Sequence, residues 1–165
     1  MTEEQTIERF MNNAESVAAQ ATRVRDRTEL NAVVLNLISK EESIYCPRLT
    51  EAEQALDLPD QREAQDYAQA TACVEEVFGG IAETGSLICS SHRGKPVQAS
   101  LLPSHHIALL STESIYATLD NFFGSFGESP PTNVTVITGP SRTADIELTL
   151  TIGVHGPERV SVIVF

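Results

Sequence analysis

The sequence predicts an α/β fold with a mainly parallel sheet covered by helices on both faces. Short apolar strands alternate with amphipathic helices, the order from which parallel sheets are built. The 165 residues suit a single domain over 1–165, long enough to bury a core without disulfide or metal staples. The hydrophobic share of 41% is ordinary for a globular chain, and no repeat or low-complexity block interrupts the alternation.

Residues 3 to about 20 form an amphipathic helix in this reading, because Ile7, Phe10, Met11, Ala14, Val17 and Ala18 recur at spacings of three and four. A strand over Thr22 to Arg25 follows. Thr28 caps a second helix to about Ser39, and Ser43 to Cys46 is a strand ended by Pro47. Thr50 opens a short acidic helix through Leu56, and a polar stretch to Asp66 reads as loop. Ala70 to Val77 fits either helix or strand. Ser86 to Cys89 and His106 to Leu110 are strands, Ser114 to Phe123 a helix, and Gly124 to Pro131 a loop. Val134 to Thr138 reads as a buried strand stopped by Gly139-Pro140. Ser141 or Thr143 then caps a helix to about Thr151, and Val160 to Phe165 is the last strand.

A formal charge of -12, from 11 basic and 23 acidic residues, argues against nucleic acid or an anionic membrane as partner. No apolar run approaches the roughly 18–20 residues of a bilayer span. The acidic start Met1-Thr2-Glu3-Glu4 lacks the basic and apolar parts of a signal peptide, so the expected compartment is the cytoplasm. Cys46, Cys73 and Cys89 match neither a disulfide framework nor a Cys-x-x-Cys metal site and read as inert thiols. Iron-sulfur ligation usually takes four thiolates, so no cofactor is assigned to this chain.

Three constellations carry chemistry. In Ile137 to Glu147 an apolar strand breaks into a polar turn, and amides at a helix start there would attract an anion. Gly139, Ser141, Arg142 and Thr143 are its candidate binding residues; Arg142 and Arg159 are the only Lys or Arg after Lys95. The structural alternative is a capped turn whose Arg142 pairs with Asp145, Glu147 or another local acid. In Glu83-Thr84-Gly85-Ser86, Glu83 is a candidate general base and Thr84, Gly85 and Ser86 are binding candidates, against the alternative of a loop-closing carboxylate. Among the histidines, adjacent His105 and His106 on a strand face opposite ways, so at most one enters a given pocket. No metal is assigned, for want of a convincing third ligand.

These segments also carry a resemblance. Ile137 to Glu147 followed by Gly153-Val154-His155-Gly156-Pro157, together with Ala82-Glu83-Thr84-Gly85-Ser86 and Leu101-Leu102-Pro103-Ser104-His105-His106-Ile107, closely resembles the LUD family, lactate utilisation protein C group. The likeness covers about residues 66 to 165, and the first 65 look shorter than is usual in the family. It selects His106 and His155 as the binding histidines. It implies a three-layer α/β/α sandwich like that of glucosamine-phosphate deaminases, ribose-phosphate isomerases and coenzyme A transferases. It also implies an accessory role in L-lactate oxidation to pyruvate, with a small anionic metabolite as ligand and iron-sulfur proteins as partners. The rival readings are a stand-alone enzyme on a phosphorylated sugar, acyl-coenzyme A or folate-like compound, and a noncatalytic regulatory module.

Overall fold

In the computed structural model, which describes residues 1–126, 130–144, 150–152 and 156–165, the alternation of strands and helices is realised as expected at the N-terminus. Helix α1 (Glu3–Ser16) starts at Thr2, whose hydroxyl accepts from the Gln5 amide while the Gln5 side chain accepts from the Thr2 N–H. Its Ile7, Phe10 and Ala14 are buried. Strand β1 (Gln20–Arg23) leads into α2 (Arg27–Leu37), which is capped by Asp26 rather than Thr28 and continues as a 3₁₀ turn, Ile38–Lys40. Strand β2 (Ile44–Tyr45) and helix α3 (Glu51–Gln54), boxed by Thr50 and Glu53, complete the N-terminal part.

The central sheet takes in β3 (Ala72–Glu76), β6 (His105–Leu110) and β11 (Arg159–Val164), in the order β1-β11-β6-β3-β2, and every pairing in it is parallel. The segment Ala70 to Val77, compatible with either state, is thus a strand. Helix α2 covers one face: Leu30, Val34 and Ile38 pack with Val74, Ile107, Leu109 and Ile163. Helix α1 covers the other, against Ala108, Leu110, Val160, Val162 and Val164. Burying one such large apolar side chain stabilises the fold by roughly 1.5–3 kcal/mol.

A second sheet packs on the α1 side. It contains β4 (Gly79–Ile81), β5 (Ser86–Ser90), β7 (Ile115–Tyr116) and β8 (Val134–Ile137), in the order β7-β4-β5-β8. Glycine fits at Gly80 because a Cβ there would press on Leu110 and Phe10. Helix α4 (Leu119–Gly124) buries Phe122 among Phe78, Tyr116 and Phe126.

Three expectations are corrected. The helix over Ser114 to Phe123 is a 3₁₀ turn, a short strand and a shorter helix, because Thr118 caps a new start. Strand β8 lies at an edge and is only partly buried, with Val136 exposed. The helix from Thr143 to Thr151 is absent from the described ends of that segment: Arg142–Ala144 is β9 and Leu150–Ile152 is β10, paired antiparallel. Residues 145–149 between them lie outside the described residues.

Candidate functional site

The chemistry gathers where β3 ends against the second sheet. A cavity of about 250 Å³ opens there, lined by Thr50, Glu75 to Phe78, Cys89, Ser90, His92, Arg93, Lys95 and others. Its location beyond the carboxyl end of a parallel strand is where open α/β sheets place ligands. Lys95 Nζ contacts Glu53 Oε1 at 2.9 Å and Glu75 Oε2 at 3.4 Å, and donates to the Glu76 carbonyl. Both carboxylates are 0% exposed. Burial alone would lower the Lys95 pKa, but the charges of Glu75 and Glu53 raise it above its ordinary value, so the group is a fixed cation.

Glu53 is fully committed: its carboxylate accepts from the amides of Leu49, Thr50 and Glu76 as well as from Lys95. Glu75 is less so. Its Oε1 faces His106 Nε2 at 3.0 Å and accepts from Ser100 Oγ, while Oε2 has the Lys95 ammonium at 3.4 Å and accepts no hydrogen bond among the described residues. Burial pushes the Glu75 pKa up; the hydrogen bond from His106 and the charges of His106 and Lys95 overcome it and hold the carboxyl below its usual range. At the mouth, His92 and Arg93 are exposed, and Arg93 keeps a left-handed backbone at φ 59°. Such a conformation costs a non-glycine residue about 1–2 kcal/mol.

Glu75, Cys89 and His106 could also hold a metal ion, with one ligand atom from each lying within 4.8 Å of the others. The Lys95 ammonium already supplies a cation to Glu75, and burial raises the Cys89 thiol far above its ordinary value. The trio therefore fits a hydrogen-bonded network better than a metal centre.

Of the described residues singled out in sequence, His106 alone belongs to this cluster. Glu83 Oε1 accepts from the Leu119 amide at 2.7 Å, and the carbonyls of Ala82 and Glu83 accept from the Asn13 side chain. Its carboxylate closes a loop. Hydroxyls of Thr84, Ser86 and Thr138 form a chain with steps of 2.7 and 2.8 Å. Gly85, at φ 66°, lies on the Ala14 backbone, and Gly139, at φ 69°, lies on the Val17 carbonyl. Both sit where a side chain would collide with the last turn of α1 or the residue that caps it.

Arg142 is exposed at a separate, open hollow of about 540 Å³, with Thr138, Gly139, Ser141 and Gly156. Glu83 lines a different hollow, beside Gln5, Glu8 and Arg9. The helix-start amides expected at Ser141 and Thr143 do not exist as such: the Ser141 N–H donates to the Pro157 carbonyl, and Thr143 is paired with Thr151 in a strand. His155 lies outside the described residues. Lys95, Glu53, Glu75 and Ser100 were missed in sequence; the available signal was Glu75 within the otherwise apolar run Ala72-Cys73-Val74, since a buried carboxylate demands partners.

A solved structure agrees with this architecture. A DUF162 family protein from Deinococcus radiodurans shares the fold with a TM-score of 0.69 at 22% identity, over 99% of this chain and 98% of that one. An uncharacterised protein of Neisseria meningitidis serogroup B is 40% identical over 87 residues, which are 51% of this chain and 37% of that protein. Lactate utilization protein C of Halalkalibacterium halodurans is 36% identical over 90 residues, 51% of this chain and 39% of that protein. The protein of the same name from a Geobacillus species is 36% identical over 107 residues, 60% of this chain and 44% of that protein. The matches thus take in less than half the length of these curated relatives. The LUD domain model matches residues 7–165, and the chain belongs to the LUD domain family.

Proposed function

We propose that the protein is an accessory component of L-lactate utilisation and holds a small 2-hydroxy acid in the cavity over Lys95. Support for the pathway comes from similarity to proteins named lactate utilization protein C. Support for the ligand comes from the cavity. Arg93 at the mouth offers a planar fork suited to a carboxylate, and Glu75, on the wall, has an oxygen that faces the Lys95 ammonium at 3.4 Å without a hydrogen bond. That Oε2, 3.4 Å from the Lys95 ammonium but accepting no hydrogen bond among the described residues, is the observation that carries the reading, because a ligand hydroxyl in the cavity would satisfy it. The chain has three cysteines, one short of the usual iron-sulfur set, so electrons from lactate would pass through iron-sulfur partner proteins.

Calorimetric titration tests the ligand. Lactate should bind, pyruvate should bind about tenfold more weakly for want of a hydroxyl, and Arg93→Ala should weaken lactate by roughly 10- to 100-fold, the worth of a hydrogen bond to a charged group. Equal affinity of lactate for both proteins rejects the site. Arg142, at its own hollow, is the second place for a carboxylate. Loss of affinity in Arg142→Ala instead of Arg93→Ala would move the ligand there.

A further inference from the structure

The amino-terminal ends of the parallel strands hold a second polar cluster, on the opposite face of the sheet from the Lys95 cluster. Ser161 Oγ lies 2.9 Å from His105 Nε2, and His105 Nδ1 lies 3.0 Å from Glu41 Oε1. Arg159 donates to the same Glu41 oxygen at 2.6 Å. Ser161, His105 and Glu41 are 3%, 3% and 6% exposed, so each proton must have a partner.

The proton positions follow from the partners. Burial raises the Glu41 pKa, but hydrogen bonds from His105 and Arg159 more than offset it, so Glu41 is a carboxylate that only accepts. Nδ1 of His105 therefore carries a hydrogen. Burial lowers the His105 pKa despite the Glu41 bond, so near neutral pH the ring has one proton and Nε2 is bare. Ser161 Oγ–H must then donate to Nε2. Hydroxyl, bare nitrogen, ring N–H and carboxylate stand in the order that lets a serine proton leave, and such relays are recognised by geometry rather than chain order.

A cavity of about 340 Å³ is lined by both Ser161 and His105, with Lys40, Arg159 and Glu158 also on its wall. We propose that Ser161 is a nucleophile, His105 its general base and Glu41 the positioning residue of a site that hydrolyses small esters bearing a carboxylate. Lys40 and the half-exposed Arg159 supply the cations for that carboxylate. Oγ attacks the ester carbonyl as its proton passes to Nε2. The carbonyl-to-leaving-oxygen bond breaks, and the alkoxide departs as an alcohol with the proton from Nε2. Water then attacks the acyl carbon, giving a proton to Nε2; the bond to Oγ breaks, and Oγ recovers that proton as the acid leaves. Water is the only co-reactant.

The test is labelling of the full chain with a fluorophosphonate, with peptide mass mapping, and hydrolysis of para-nitrophenyl hemisuccinate against the neutral acetate. Label on Ser161 is expected, with the hemisuccinate preferred. His105→Gln should slow hydrolysis at least about 100-fold, the lower bound for a general base, with an unchanged circular dichroism spectrum. Glu41→Gln should slow it and move the rise of rate with pH to lower pH, because the imidazolium loses its carboxylate; a purely structural role would not move that profile. An unlabelled wild-type protein, or label elsewhere, overturns the proposal, and neither result depends on a variant folding.

Discussion

Replacing Lys95 by methionine isolates the energetics of the buried cluster, because the stem is kept and the ammonium is lost. At an effective dielectric of about 20, contacts at 2.9 Å to Glu53 and 3.4 Å to Glu75 give about 6 and about 5 kcal/mol of attraction. Desolvation offsets most of this in the intact cluster. Removing one partner leaves the carboxylates buried without their cation, which costs about 3–5 kcal/mol. For a domain of this size that lowers the melting temperature by roughly 6–20 °C. The loss must also depend on pH. In the wild type the Glu75 pKa is depressed, so its contribution is present above the ordinary carboxyl range and vanishes as pH falls through the folded value. In the variant, burial acts on Glu75 without the ammonium, and acidification relieves the cost by protonating it. Urea denaturation at pH 7.5 and pH 4.5 should show a wide gap between the two proteins at the higher pH and a narrower one at the lower. A loss under about 1 kcal/mol, or one independent of pH, would mean that Lys95 swings out to solvent and the cluster does not act as a buried unit.

Two further outcomes follow from geometry. Gly85→Ala should destabilise severely, since the left-handed backbone alone costs about 1–2 kcal/mol and the new Cβ would collide with the Ala14 backbone; Gly94→Ala, at φ 76° with open space around it, should lose only the backbone part, and equal losses in calorimetry would refute the packing argument. The wild-type melting temperature should fall as pH drops below the ordinary histidine range, because His105 binds a proton more readily unfolded than folded, and fall further as Glu41 and Glu75 protonate; a flat profile between pH 7 and pH 4 would contradict the depressed values at all three.

The parallel sheet was legible because its inner strands β6 and β11 carry apolar runs and the helices between strands carry apolar stripes. The reading failed where local signals competed. At Ser141 to Thr151 the cap-like serine and threonine suggested a helix, yet Leu148-Thr149-Leu150-Thr151-Ile152 alternates with period two, a strand signal, and β9 pairs with β10. The same conflict shows at Thr118, which starts α4 where a longer helix was expected. The Lys95 cluster was beyond local reasoning: Lys95 and Glu53 are 42 residues apart, and the one local signal at Glu53, its capping box with Thr50, points to a helix start rather than to Lys95. Motif glycines fared differently. Gly85 and Gly139 stand out in sequence because backbone freedom is needed there, and the structure sets them against the backbone of Ala14 and Val17, where α1 ends.

Both polar clusters hang on the first two residues of one strand. The entry to β6 is fixed by the His105 N–H and Ser104 Oγ, which donate to the Thr71 carbonyl, and by the Arg159 N–H, which donates to the Ser104 carbonyl. From there the pleat sends His105 to the α2 face, toward Ser161 and Glu41, and His106 to the α1 face, toward Glu75. A slip of one residue would exchange the rings and place each beside the other's partners, so the register of β6 against β3 and β11 is held by polar pairing as well as by apolar burial. The two clusters are therefore mechanically joined yet chemically separate: a change at Ser104 or Thr71 should disturb both, whereas a change at Lys95 should leave the hydroxyl–imidazole–carboxylate line intact.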